Sequence, residues 1–372
     1  MTTIDIPPIA WPVDRDIPDL DWQPPAGTRV ISADDHWLEP PDLFVDRMPA
    51  KYRDVAPRVW RDETGTHLVC EDRNLDSVGQ NLLLTQGRPG MGDIEQRVPD
   101  MDAEGLDAGL IFAQVSMALF SLEDEELMIA AYDAYNEGLA EFCAGMPGRL
   151  YGVGILPTIY SPERTADYIQ KLKSWGYVAM QIPSYPRAER VWYNGSRWDV
   201  MWDAIEASGI PLSFHIGENP NYRGRGALGT YLTTGFQPFR RLWSLLTFSG
   251  TLERHPEMNV IFTEGGISWV PSALYDADKT YRQFESEMKP QLAEMPSYYW
   301  HRQCYATFMD DPTGIKILDD IGPEHALWSA DYPHPESTLG ESRGLVKSFF
   351  DALPEDQAKL VVGGNAARLW GI

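Results

Sequence analysis

Asp34 and His36 stand two apart in Ser32-Ala33-Asp34-Asp35-His36, where a strand-like run from Thr28 to Ala33 ends. Residues two apart on a strand point to the same face. A carboxylate and an imidazole therefore look into one space, as two ligands of a divalent cation would; an Asp–His hydrogen bond at a strand end would use the same residues. Three later segments repeat the design. Leu212-Ser213-Phe214 runs into His215, Val260-Ile261-Phe262-Thr263 into Glu264, and Trp328-Ser329-Ala330 into Asp331, with His334 and Glu336 shortly after. An ionised carboxylate at the end of a buried strand is costly unless it is paired or bound to a cation. Four such ends ask for a shared partner, and mixed histidine and carboxylate donors suit zinc, iron and manganese.

The candidate set is therefore Asp34, His36, His215, Glu264, Asp331 and His334, with Asp331 as ligand or base. Glu39 and Glu336 are weaker candidates, since one precedes Pro40-Pro41 and the other lies in a loop. His67, His255, His301 and His325 read as structural. His255, in Arg254-His255-Pro256, falls in a helix-to-strand connection at the end of the fold away from the site.

The elements that must position these side chains alternate along the chain. Strand candidates are Thr28–Ala33, Ala108–Val115, Leu150–Leu156, Tyr177–Ile182, Ile210–His215, Asn259–Thr263, Gln303–Phe308 and His325–Ala330. Helical stripes lie between them: Met128, Tyr132, Tyr135, Leu139 and Phe142 recur at spacings of four and three, as do Tyr168, Leu172 and Trp175. Ser161-Pro162 is a helix start. Eight strands separated by helices predict an α/β fold with a parallel sheet, and eight is the number that closes a (β/α)8 barrel, whose active sites sit at the C-terminal strand ends. Residues 1–27 read as a proline-rich arm, and about 37–105 as an insertion after strand one, too long for a simple connection and able to cover the barrel mouth. Gly224-Arg225-Gly226-Ala227-Leu228-Gly229 has the letters of a dinucleotide fingerprint but follows a polar loop, so it reads as a flexible loop.

Composition narrows the classes. A formal net charge of -24 argues against nucleic acid and anionic membranes as partners. The three cysteines, Cys70, Cys143 and Cys304, form no CxxC pair, which speaks against a disulfide framework or zinc ribbon and for a reducing cytoplasm. The first twenty residues lack the basic and apolar regions of a secretory leader, and no apolar run approaches the roughly 18 residues of a membrane span.

Taken together, the segments resemble the amidohydrolase-related family, also called amidohydrolase 2, of metal-dependent TIM-barrel enzymes. The match comprises Asp34-Asp35-His36, Glu39-Pro40-Pro41-Asp42-Leu43, His215, Glu253-Arg254-His255-Pro256, Glu264-Gly265-Gly266, Asp331-Tyr332-Pro333-His334 and the closing Gly364-Asn365-Ala366-Ala367-Arg368-Leu369. The resemblance implies that Asp34, His36, His215 and Asp331 hold the first metal. Many of the family's decarboxylases and hydrolases carry a histidine before the Gly-Gly pair; here Glu264 stands there. The bridging lysine of wider amidohydrolases is absent from Ala179-Met180-Gln181-Ile182. If two metals bind, Glu264 is the expected bridge and His334, with Glu336, completes the second site.

Three functions follow from the resemblance. The first is a dinuclear iron or manganese–iron oxygenase, with Trp37 and Tyr332 shaping its pocket. The second is metal-assisted hydrolysis or non-oxidative decarboxylation with one zinc or manganese ion. Asp331, or Glu264, then serves as base. The third is a metal-binding structural subunit of a related complex. The expected partners are a small organic substrate and, through the arm, a homo- or hetero-oligomer with a related chain. Arg240 and Arg241 could meet a substrate carboxylate, but a surface helix face explains them as well.

Overall fold

The computed structural model describes residues 20–62, 65–79, 88–184, 192–216, 225–226, 229–230, 233–234, 239–334 and 337–372. Residues 1–19 of the arm, parts of the Gly224–Gly229 stretch, and Glu336 lie outside them.

All eight expected runs form strands of one parallel sheet: β1 (Ile31–Trp37), β5 (Ala108–Ala113), β6 (Leu150–Ile155), β7 (Ala179–Gln181), β8 (Leu212–His215), β9 (Val260–Thr263), β10 (Cys304–Phe308) and β11 (Ala326–Trp328), hydrogen-bonded in that order. Most begin or stop a residue or two inside the predicted runs. β1 differs: it continues past Ala33 to Trp37, so Asp34 and His36 lie within the strand and not beyond it.

The sheet closes at β1 and β11. No regular ladder joins them; a bridge pairs Asp35 with Tyr332. Asp331 N donates to Asp34 O at 2.8 Å, His36 N to Tyr332 O at 2.8 Å, and Ala330 N to Ser32 Oγ at 2.8 Å. The seam of the barrel thus runs between candidate ligands. Helices surround the barrel, as the periodicity predicts. Glu125–Ala144 buries Met128, Tyr132, Tyr135 and Leu139, and Asp124 caps it by accepting from Leu127 N. Pro162–Arg164 forms a 3-10 turn leading into the helix Thr165–Ser174. The interior of the barrel is packed by Ile31, Ala33, Leu110, Val153, Ala179, Ile261 and Leu327, and the last helix closes its base with Ala366 and Trp370.

Inside the expected insertion, β2 (Arg58–Asp62), β3 (Gly65–Cys70) and β4 (Arg73–Gly79) form an antiparallel sheet, followed by a helix, Ile94–Glu104. Among the described residues, no helix is long and apolar enough to cross a membrane. The three cysteines are buried and free.

One irregularity in β1 decides which side chains reach the mouth. Ile31 and Ala33 face the interior, and strict alternation would send Asp35 and Trp37 after them. The pairing with β5 slips between Ser32 and Asp35: Ser32 lies opposite Gly109, but Asp35 opposite Ile111. The extra residue on β1 is a bulge. Above it Asp34 and His36 face inward, and Asp35 and Trp37 outward.

Candidate metal centre

Six side chains from four segments of the chain meet at the C-terminal end of the barrel. They form a closed ring in which carboxylate and imidazole alternate. His36 Nε2 lies 3.8 Å from Asp34 Oδ1 and 3.0 Å from Asp331 Oδ1. Asp331 Oδ2 is 3.1 Å from His334 Nδ1, which is 3.8 Å from Glu264 Oε1. His215 Nε2 closes the ring at 3.4 Å from both Glu264 Oε2 and Asp34 Oδ1. All six members of the sequence-derived set are brought together. Five are buried; His334 retains 13% side-chain exposure and faces the mouth.

The backbone turns that deliver the two late carboxylates are strained. Glu264 has φ 68° and Asp331 φ 57°, left-handed conformations rare for residues other than glycine. Surrounding groups hold them there. Glu264 N donates to Thr307 Oγ1 at 2.7 Å. Asp311 pins the turn that follows by accepting from Ile267 N, Ser268 N and Gly314 N at 2.8–2.9 Å.

Each imidazole is oriented from outside the ring. His36 Nδ1 donates to Ala113 O at 3.0 Å and His215 Nδ1 to Ile216 O at 2.8 Å, so both turn Nε2 inward. His334 reverses the arrangement: Nε2 meets Gln114 Oε1 at 2.9 Å and Nδ1 faces the ring. His36 and His334 stack with centroids 4.1 Å apart.

The electrostatics are those of a site short of positive charge. Among the described residues, the three ring carboxylates pair with imidazoles alone. Burial, with the charge of Asp331 beside it, pushes the Glu264 carboxyl up to about 8. Burial would also raise Asp331, but His334 and His36 hold it below the usual carboxylate range. Burial would lower His215, yet Asp34 and Glu264 lift it to about 9. His334 is lifted well above its ordinary value by Asp331 and Glu264 despite burial, while burial and His334 depress His36.

A divalent cation fits this ring. Both Asp34 carboxylate oxygens, His36 Nε2, His215 Nε2 and Asp331 Oδ1 are buried without a hydrogen-bond partner. Buried polar atoms are rarely left so. Asp34, His36, His215 and Glu264 each offer a ligand atom within 4.8 Å of the others; His36, Asp331 and His334 form a second such group.

Other expected site residues lie elsewhere. Trp37 points outward from β1 against Tyr135 and Phe142, so it does not line the pocket. The expectation for Tyr332 is likewise corrected: its ring packs on Arg97, 4.6 Å away, and its hydroxyl donates to Asp100 at 2.5 Å. Both corrections follow from the bulge and the seam, which turn these side chains to the outer layer. Glu39 is buried and spent on backbone, accepting from Val115 N and Ser116 N at 2.9–3.3 Å. Arg240 pairs with Asp276 on a surface helix. His255 Nδ1 donates to Thr251 O at 2.8 Å and Nε2 meets Asp203 Oδ1 at 3.0 Å, a structural role. Gln114 and Phe112, whose ring is 5.0 Å from that of His215, escaped the sequence reading. Gln114 stands at the end of an apolar run just as the ligands do, but a neutral amide carries no metal-ligand signal.

The sequence profile of the amidohydrolase family matches residues 33–372. The chain belongs to the amidohydrolase family. Among solved structures, it is similar to an amidohydrolase from Mycobacterium avium subsp. paratuberculosis K-10 (TM-score 0.76, 18% identity, covering 93% of this chain and 100% of that one). It is also similar to 2,6-dihydroxybenzoate decarboxylase from Rhizobium (TM-score 0.68, 18% identity, 92% and 99% covered). A third is a dihydroxybenzoic acid decarboxylase from Polaromonas sp. JS666 with bound manganese and 2-nitroresorcinol (TM-score 0.66, 18% identity, 92% and 97% covered). No curated protein sequence matches the chain.

Proposed function

We propose that the protein is a metal-dependent enzyme that acts on a small organic substrate at the barrel mouth, by hydrolysis or non-oxidative decarboxylation. The observation that carries the reading is the ring itself: three carboxylates and three imidazoles converge, with five inward atoms unpartnered. Asp34, His36, His215 and Glu264 would hold the cation, with His334 as a further donor from the mouth side. A bound divalent cation supplies Lewis acidity, polarising a carbonyl or carboxylate oxygen.

The remaining steps belong to side chains. Asp331, buried 3.0–3.1 Å from His36 and His334, is the proton acceptor for an attacking water, and returns that proton to the leaving group. In decarboxylation the carbon–carbon bond breaks, carbon dioxide departs, and the electron pair left on the remaining carbon takes a proton that Asp331 has first accepted from solvent. Phe112 provides an apolar wall beside His215 and His36. The similar decarboxylase structures support this reaction class.

One observation favours a second reading. The two ligand groups share His36, and Glu264 lies between His215 and His334. Two cations bridged by Glu264, iron or manganese, would use all six donors and suit dioxygen chemistry. Metal analysis of the purified full chain, with anaerobic and aerobic turnover of a panel of aromatic carboxylates and esters, separates the two. About one equivalent of metal and oxygen-independent turnover is expected. Two equivalents with substrate-dependent oxygen uptake would replace the first reading with the second, and absence of any bound metal would sink both.

A further inference from the structure

Two of the three ring imidazoles are oriented by backbone carbonyls, Ala113 O for His36 and Ile216 O for His215. The third, His334, is oriented by a side chain, Gln114, whose Oε1 accepts from Nε2 at 2.9 Å. We propose that Gln114 is a positioning residue that makes His334 a cation ligand, by engaging its Nε2–H and so turning Nδ1 into the ring. The proposal rests on the reading of the ring as a cation site. A histidine that ligates a metal through one nitrogen donates the other N–H to an outer acceptor, and that acceptor fixes both tautomer and ring angle.

Three features make Gln114 fit the role. It directly follows Ala113, so consecutive residues at the end of β5 orient the stacked pair His36 and His334. The next two residues, Val115 and Ser116, are tied through their amides to the buried carboxylate of Glu39. That anchor holds the chain carrying Gln114 and gives Glu39 a purpose at the site without contact to it. Finally, His334 Nδ1 faces into the ring, 3.1 Å from Asp331 Oδ2 and 3.8 Å from Glu264 Oε1, where a bound cation would displace the proton it shares with Asp331.

The test is zinc affinity of the full chain, measured by chelator competition at fixed pH. The variants are Gln114→Met, Gln114→Glu and His334→Ala, with circular dichroism as a check of folding. Gln114→Met keeps the length but removes the acceptor, and should weaken zinc about 10–100-fold. His334→Ala should weaken it at least as much. Gln114→Glu accepts but cannot donate, and should bind zinc within a few-fold of the parent or more tightly. In zinc-loaded protein with 15N-labelled histidine, His334, assigned by its loss in His334→Ala, should show a proton on Nε2 and none on Nδ1. Unchanged zinc affinity in Gln114→Met or His334→Ala, or a Gln114→Glu variant as weak as Gln114→Met, would overturn the proposal, as would a proton on Nδ1. If the parent chain binds neither zinc nor manganese, the cation reading fails first. If it binds them but the variants do not differ, only the role of Gln114 fails.

Discussion

Successive residues of β1 serve two buried charged clusters that lie back to back. Asp34 and His36 enter the ring at the mouth. Asp35 points the other way and meets Arg97 Nη2 at 3.1 Å, with both side chains fully buried. Arg97 also donates to His36 O at 2.8 Å and lies over the Tyr332 ring, Tyr332 donates to Asp100, and Asp100 takes Arg88 through two bonds of 2.7 Å. Every carboxylate in this outer cluster has a guanidinium of its own. The inner cluster has as many carboxylates as imidazoles and, among the described residues, no lysine or arginine paired with it. A buried charge supplied with its counter-ion by the chain is architecture: the Arg97 network replaces the missing ladder between β1 and β11. A buried charge left without one is kept for something that binds.

The largest effect is expected at Arg97. Arg97→Met leaves Asp35 buried and unpaired, and should cost about 3–5 kcal/mol of unfolding free energy in urea titration. The double variant Arg97→Met with Asp35→Leu should recover much of that loss. If the single variant is as stable as the parent, the outer cluster is not what holds the seam.

Inside the ring the sign should reverse. His215→Ala should weaken divalent-metal binding by about 100-fold or more, read by chelator competition. Asp34→Asn in the metal-free chain should leave stability within about 1 kcal/mol of the parent, because it removes a buried carboxylate whose oxygens make no hydrogen bond, and His215 can shed its proton once that charge is gone. A metal-free Asp34→Asn chain that unfolds far more easily would show the ring to be structural.

The pH response sharpens the same contrast. The folded, metal-free chain holds a proton on Glu264 up to about 8 and on His215 up to about 9, both above their unfolded values. Groups raised in this way stabilise the fold most below their unfolded pKa and lose that contribution as pH rises through the folded one. The Glu264 contribution therefore fades between about 4.5 and 8, and that of His215 between about 6.5 and 9. Metal-free protein should melt at progressively lower temperature from pH 6.5 to 9. Metal affinity should climb over the same interval, since binding displaces those protons. A flat affinity profile would contradict the assignment of Glu264 and His215 to the site.

The smallest effect is expected at Tyr332. Tyr332→Phe removes the hydroxyl bonded to Asp100 and should cost about 1–2 kcal/mol in thermal unfolding, with metal affinity unchanged. Loss of metal binding instead would return Tyr332 to the site.

The chemical types of Asp34, His36, His215, Glu264, Asp331 and His334, and the strand-end placement of His215, Glu264 and Asp331, were legible in the linear order, as were the eight strands and the family. These are local properties, because hydrophobic periodicity and a ligand-type residue after an apolar run need only a short window. The tertiary structure decided the rest. The bulge between Ser32 and Asp35 chose Asp34 over Asp35 for the mouth, and it exists only as a register slip against β5. The same slip turned Trp37 outward. Arg97 as the partner of Asp35, Tyr332 as a member of the seam, and Gln114 behind His334 depend on residues far apart in the chain, whose separations carry no periodicity to read. Local sequence names the groups able to bind a cation. Which of them stay unpaired, and so free to bind one, is settled by what the fold brings to the other side of the strand.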